Sequence, residues 1–407
     1  MDTQIDTAAQ QRLEEYFAQI GEILGHPARR ASFAVYAFGL FGDAHRKTME
    51  GIAARACPDP QLVDATHQRV HHFITDSNWN DRDVRLCASR YALESMTRAG
   101  DVQAWIIDDT GFLKQGEHTV GVQRQYTGTA GKITNCQIGV SLTLATAHDH
   151  VPVDFELYVP ASWANDPARR AEARIPDELA FETKPQLALG MIRRALANGL
   201  PRGTVLADEA YGNSSQFRDQ LRALNMDYAV AINATTKVWV VDKAGRRNGP
   251  AETVSKVARR LQRHGTFRRC TWRAGSRRPL SARFARVRVV PCHDDGREPG
   301  ERDHLWLICE WRDGDRAPEH YHLASLPHAS RKALVRLLKE RWRTERVYQD
   351  LKGELGLDEF EGRRFRGWHH HVSIALVCYA FLIAERARRF SPSATRDAGT
   401  DALPLAA

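Results

Sequence analysis

Shortly after Gly100 the chain reads AWIIDDTGF (Ala104–Phe112), an apolar run that passes straight into two adjacent carboxylates. A run this apolar, bounded by glycine, reads as a buried strand. Two acids at the end of such a strand are costly to desolvate unless a cation or hydrogen-bond donors compensate them. Either the strand ends at the surface and Asp108-Asp109 begins a polar turn, or a site that uses negative charge sits there. The stretch alone leaves both open, but it divides the chain, because the hydrophobic pattern differs on its two sides.

Before it, apolar residues recur at three- and four-residue spacing in RLEEYFAQIGEIL, ASFAVYAFGLFGDA and VDATHQRVHHFITDS, so residues 1–98 read as helical. After Asp101, AWIIDD, NCQIGVSLTLAT and VPVDFELYVP are three successive strand candidates. A helix DELAFETKPQLALGMIRRALANG follows, closed by Gly199, then the strand GTVLADEAYG, the helix SSQFRDQLRALN with Ser214 or Ser215 as N-cap, and the strand DYAVAIN. Residues 234–326 hold further strand-like runs, ARVRVV, HLWLICEW and YHLASL. The helical stretch SRKALVRLLKERWRTERVYQDLKGEL and the apolar helix VSIALVCYAFLIAERARR come next, and a Pro/Ala/Ser tail over 391–407 reads as disordered. Three strands, helix, strand, helix, strand describe an α/β fold, a mixed sheet with flanking helices. The expected units are a helical region 1–98, a core 101–233, an insertion 234–326 and a return to the core over 327–390.

The 407 residues are 43% hydrophobic and 27% charged, ordinary for a globular protein. With no run of 18 or more apolar residues and a polar N-terminus, neither a membrane span nor a signal peptide is expected, and the chain reads as cytoplasmic. The seven scattered cysteines, never spaced Cys-x-x-Cys, read as reduced thiols and not as a zinc site. His369-His370-His371 reads as a solvated helix start before it reads as a metal site. Charge is more informative. From Lys243 to Arg288 there are fifteen Lys/Arg and one acid, Glu252, a local +14 in a chain of net +8, so all other residues together carry −6. That block, with Phe267, Trp272 and Phe284 interleaved, is a footprint for a polyanion, nucleic acid in preference to a merely solvated face. Arg259, Arg260, Arg268 and Arg269 lie at its centre.

Asp108 and Asp109 end the first strand candidate and Asp208 and Glu209 the fourth. Open sheets carry functional groups at the carboxyl ends of their strands, and side chains alternate faces, so one acid of each doublet faces a common site. On the long C-terminal helix, Arg341, Glu345 and Lys352 share a face, because eleven residues at about 100° each return within roughly 20° of the start. A surface ladder of ion pairs would look the same.

Together, Asp108-Asp109-Thr110, Asp208 in LADEAYG and ERWRTERVYQDLK resemble the Asp-Asp-Glu constellation of insertion-sequence transposases with a ribonuclease-H-like core. More narrowly, IIDDTGFLKQGEHTVGVQRQYTGTAGKITNCQIGVSL, LYVPASWANDPARRAEARIPDELAFETKP and HHFITDSNWND are similar to stretches of the insertion sequence 701 family, a likeness running from about residue 15 to 385. The resemblance implies that Asp108 (in Asp-x-Thr), Asp208 and Glu345 are the catalytic, metal-holding triad. Arg341, Glu345 and Lys352 fit the signature Tyr-x2-Arg-x3-Glu-x6-Lys, with Leu338 where the tyrosine would stand. It further implies two Mg²⁺ or Mn²⁺ ions about 3.5–4 Å apart on oxygen ligands, and cleavage of transposon ends followed by strand transfer. The partners it implies are double-stranded DNA, as terminal inverted repeats and as target, and a second copy of the chain at the DNA ends. Residues 1–98 would be a helical DNA-binding domain, 234–326 a basic β-rich insertion along the transposon end, and Arg341, Trp342 and Lys352 DNA contacts, although Trp342 fits core packing equally well. A silent DNA-binding descendant and a metal-dependent nuclease without strand transfer remain the alternatives.

Overall fold

The structure, a computed structural model, describes residues 6–44, 46–242, 244–274, 278–292 and 304–389. Lys243, residues 275–277 of the basic block and the tail 391–407 lie outside the described residues. The helical region comprises α1 (Thr7–Leu24), α2 (Pro27–Phe41), α3 (Met49–Ala56), α4 (Val63–Thr75) and α5 (Asp81–Met96). Side-chain caps start most of them: Asp6, Thr48 and Asn80 each accept a backbone N–H of the first turn.

The core begins with β1 (Ala104–Leu113), β2 (Gln123–Thr127), β3 (Lys132–Ala145) and β4 (His150–Tyr158), followed by α6 (Ala161–Ala164), α7 (Pro167–Ala173) and α8 (Lys184–Ala197). It continues through β5 (Thr204–Ala207), α9 (Glu209–Gly212), α10 (Ser215–Ala223) and β6 (Tyr228–Ile232). β3 pairs antiparallel with β1 and β4, whereas β1, β5 and β6 run parallel, joined by the helical crossovers. The order β4-β3-β1-β5-β6 is the ribonuclease-H-like mixed sheet expected from the sequence.

The stretch after Ile232 forms β7 (Lys237–Val240), β8 (Glu252–Thr253), α11 (Val254–Arg263), β9 (Arg268–Arg273), β10 (Leu280–Pro291), β11 (Leu305–Trp311) and β12 (His320–Ala324). β12 pairs with β6, so among the described residues these strands extend the core sheet to twelve. α12 (Arg331–Leu338), α13 (Trp342–Gly353) and α14 (Phe365–Arg389) are the last elements among the described residues.

α14 is long and apolar enough to cross a membrane by length and composition, yet 94% of its most apolar window is buried inside the fold. It packs on α2, α4, α5 and β4, so the N-terminal helices and the sheet share one apolar core through it.

Three sequence expectations give way. β1 runs through the acids to Leu113, paired with β3 over its whole length, so Asp108 and Asp109 lie within a strand. The helix expected from Asp177 starts at Lys184, where Thr183 and Gln186 form a capping box and Pro185 takes the first turn; Gly199 does follow its end, at φ 70°. The triplet His369-His370-His371 is not solvated: exposures are 4%, 2% and 1%. Each ring has partners, His369 with Phe365 O and Glu156, His370 with Ile74 O and Trp79 O, and His371 with the Tyr36 hydroxyl and Leu357 O.

Candidate active site

β1 and β5 pair in parallel from Ala104/Thr204 to Ile106/Leu206, and then separate. Asp108 and Asp208 sit two residues beyond the last pair, on either side of the opening crevice. Asp208 caps α9, its carboxylate accepting the Ala210 N–H at 2.9 Å. Alternation along β1 sends Asp108 and Asp109 to opposite faces. Asp109 is compensated by Lys184 Nζ at 3.0 Å and accepts the Tyr211 hydroxyl at 3.3 Å. Asp108 faces the other way, toward Arg341, whose Nη2 lies 3.5 Å away.

Burial pushes the Asp108 carboxyl up to about 7, with Asp208 and Asp109 raising it further and Arg341 opposing them. Asp208 is raised too, again mainly by burial, with Arg341 lowering it and Asp109 and Glu209 raising it. The pair is thus short of positive charge, with one guanidinium serving both acids. Arg341 Nε is itself buried and, among the described residues, without a hydrogen-bond partner.

The long C-terminal helix expected from the sequence is broken by a 3₁₀ turn at Lys339–Arg341. At the two ends of that turn Lys339 reaches Glu310 at 2.6 Å and Arg341 reaches Asp108, while Leu338 packs into the core under the sheet. α13 then runs along β1. Lys352 Nζ donates to Gly111 O at 2.7 Å, and the Tyr348 hydroxyl lies 2.7 Å from the hydroxyl of Ser141, which pairs with Asp108 across the sheet. Tyr348 is seven residues from Arg341, so the same helix-face arithmetic applied to the sequence would have found it.

Glu345 is on this face between Arg341 and Tyr348, but it is exposed and among the described residues has no hydrogen-bond or ion-pair partner. Asp108 and Asp208 are brought together; Glu345 is brought alongside and not into contact. Among the described residues no three His, Cys, Asp or Glu side chains are close enough to hold one metal ion.

The expected DNA contacts are dispersed. Trp342 is 37% exposed, with the Arg273 guanidinium 4.3 Å above its ring, and is not a core residue. Arg259 is exposed; Arg260 pairs with Glu252; Arg268 donates to the carbonyls of Gly265 and Phe267; Arg269 makes a two-pronged pair with Asp313. Phe284 is fully buried and Phe267 packs edge-on against Trp311.

Residues 19–279 match the family described as DDE superfamily endonuclease, and residues 182–381 match the transposase DDE domain. The first match takes in well over half of the chain. This chain belongs to the DDE superfamily of endonucleases. The DDE-family chain is also similar to a curated protein from Microchaete diplosiphon described as a probable transposase for insertion sequence element IS701, with 32% identity over 206 residues. That alignment covers 50% of this chain and 49% of the relative, so the match spans about half the length of each.

Proposed function

We propose that the chain is an insertion-sequence DNA transposase that cleaves the ends of its element and joins them to target DNA. The observation that carries this reading is the Asp108–Asp208 pair at the divergence of β1 and β5, half-buried, raised in pKa and served by one arginine. A carboxylate pair in that condition fits divalent cations of the Mg²⁺ or Mn²⁺ class, which prefer all-oxygen ligands. Asp108, Asp208 and Glu345 would hold two such ions, with Glu345, which has no other partner among the described residues, turning inward. When bound, the ions supply the acidity that makes a water or a 3′-hydroxyl nucleophilic and the charge that stabilises the leaving oxygen.

The chain's own groups do the rest. Arg341, with an unused Nε, and Lys352, on the same helix face, would take phosphate oxygens beside the scissile bond. Lys184 holds Asp109 in its own ion pair, leaving Asp108 as the acid directed at the crevice. Residues 1–98 and the basic strands of 234–326, with Arg259, Arg260, Arg268 and Arg269, would hold the terminal inverted repeats, and two copies would act at paired ends on nucleoid DNA in the cytoplasm.

Asp208→Ala tests this. Strand cleavage of matched ends should fall by more than the roughly 10–100-fold typical of groups that only support a metal ligand, while end binding persists. Retained metal-dependent cleavage rules out the triad. Cleaved ends with no joined product make the protein an endonuclease alone, and binding by the unaltered chain with no cleavage makes it a silent descendant.

A further inference from the structure

Residues between β1 and the body of β3 fold back onto β1 just beyond Asp108 and Asp109. β2 and the start of β3 form a hairpin in which Tyr126 lies directly across from Ile133 and Thr127 from Lys132. Thr127 packs against Gly111 of β1, where a Cβ would overlap its side chain. Beyond it, Thr129 Oγ1 accepts the Gly111 N–H at 3.1 Å and lies 3.3 Å from the Thr110 hydroxyl and 3.5 Å from Lys352 Nζ. The hairpin tip is thus tied to the strand that carries Asp108 and to the helix that carries Glu345.

Thr127 is buried toward Gly111, so alternation turns Tyr126 away from β1, with Ile133 beside it on the same face. They are 64% and 60% exposed, the two most exposed large apolar side chains among the described residues. A single exposed apolar residue needs no explanation. A directly paired tyrosine and isoleucine at a sheet edge do, since such edges invite association in water. Arg124 and Lys132 of the same hairpin are exposed, and among the described residues neither has an ion-pair partner. An apolar pair with one such cation, Arg124, on its own face and the other, Lys132, on the opposite face of the hairpin, anchored three residues from Asp108, is complementary to one class of partner. That class is a duplex with an anionic backbone and apolar stacked bases.

We propose that Tyr126 and Ile133 form a wedge that enters the DNA at the end being cut and holds a base step unstacked, while Arg124 and Lys132 bind the adjoining phosphates. The inference rests on the transposase reading above. Wedges of this kind kink and partly unstack duplexes in DNA-bending proteins. Here an opened step would let the scissile phosphate reach the crevice between β1 and β5.

The probe is a duplex carrying the inverted repeat that flanks the gene, with 2-aminopurine next to the scissile phosphate. On binding the unaltered protein its fluorescence should rise. The double variant Tyr126→Ala, Ile133→Ala should bind the duplex without that rise and cut it about 10- to 100-fold more slowly, the loss falling on kcat, since unstacking a step costs a few kcal/mol. A duplex already mispaired at that step should restore the variant's cutting, and Tyr126→Phe should behave as the parent; circular dichroism checks that both variants are folded. The wedge is overturned if the double variant unstacks and cuts normally, or if mispairing gives no rescue. It is equally overturned if the variant loses only self-association, which would make the pair an interface between copies. If the unaltered protein neither binds nor cuts the probe, the transposase reading fails and the wedge with it; normal cutting by both proteins removes the wedge alone.

Discussion

At Gly111 the backbone of β1 lies under the hairpin, and any side chain there would occupy the position of the Thr127 side chain. Gly111→Ala should therefore destabilise the protein by about 1–3 kcal/mol, the usual cost of overpacking. Thr127→Gly in the same chain should recover most of that loss. Urea unfolding of the single and double variants measures the coupling, and simply additive losses would show that the two residues do not compete for one space. Single residues were also where the sequence was most and least informative. The two acid doublets stood out because adjacent acids beside apolar runs are physically expensive, but the choice of Asp108 over Asp109 came from the Asp-x-Thr resemblance and not from the residues alone. The partnership of Lys184 with Asp109 was not, because a lysine after a loop gives no sign of the strand it reaches.

At the scale of elements, α14 shows how a local pattern misleads. Three consecutive histidines read as polar, but the helix is enclosed and each ring is held by backbone or side-chain partners. Burial pushes His370 and His371 down to about 4. Unfolded, both titrate near 6.5. Their folded values are depressed, so the unfolded chain binds more protons as the medium acidifies. The stability they contribute is complete above about pH 6.5 and is lost as pH falls toward 4, of the order of 3 kcal/mol for each ring. His370→Gln and His371→Gln should weaken the fold at pH 7 but flatten its pH dependence over that interval in urea titrations. A parent and variants with parallel pH profiles would mean that the rings are protonated inside the fold. The strands β1, β3, β4, β5 and β6 were legible from their apolar runs, whereas β2 was not. Its alternation has no apolar face to bury, since what it presents outward is Tyr126 and what it turns inward is polar. The break at Lys339–Arg341 was also hidden, because residues that leave helical geometry to reach Glu310 and Asp108 are good helix formers by composition.

For the whole molecule, the charge asymmetry pointed to a polyanion, and the fold refines which charges are available. Arg260 and Arg269 are compensated by Glu252 and Asp313, so the basic block offers less free charge than the count of fifteen Lys/Arg suggests. The insertion is an extension of the core sheet through β12 and β6, a pairing between residues about 90 apart that no local pattern encodes. The three acids come from β1, the end of β5 and α13, and the fold places the first two at one crevice with the third on the helix beside it. On the proposed reading they share cations there. Manganese bound to the DNA-loaded protein, counted by electron paramagnetic resonance, tests this most directly. Alanine at Asp108, Asp208 or Glu345 should each reduce the bound manganese while DNA remains bound; undiminished manganese in the Asp208→Ala and Glu345→Ala proteins would contradict it.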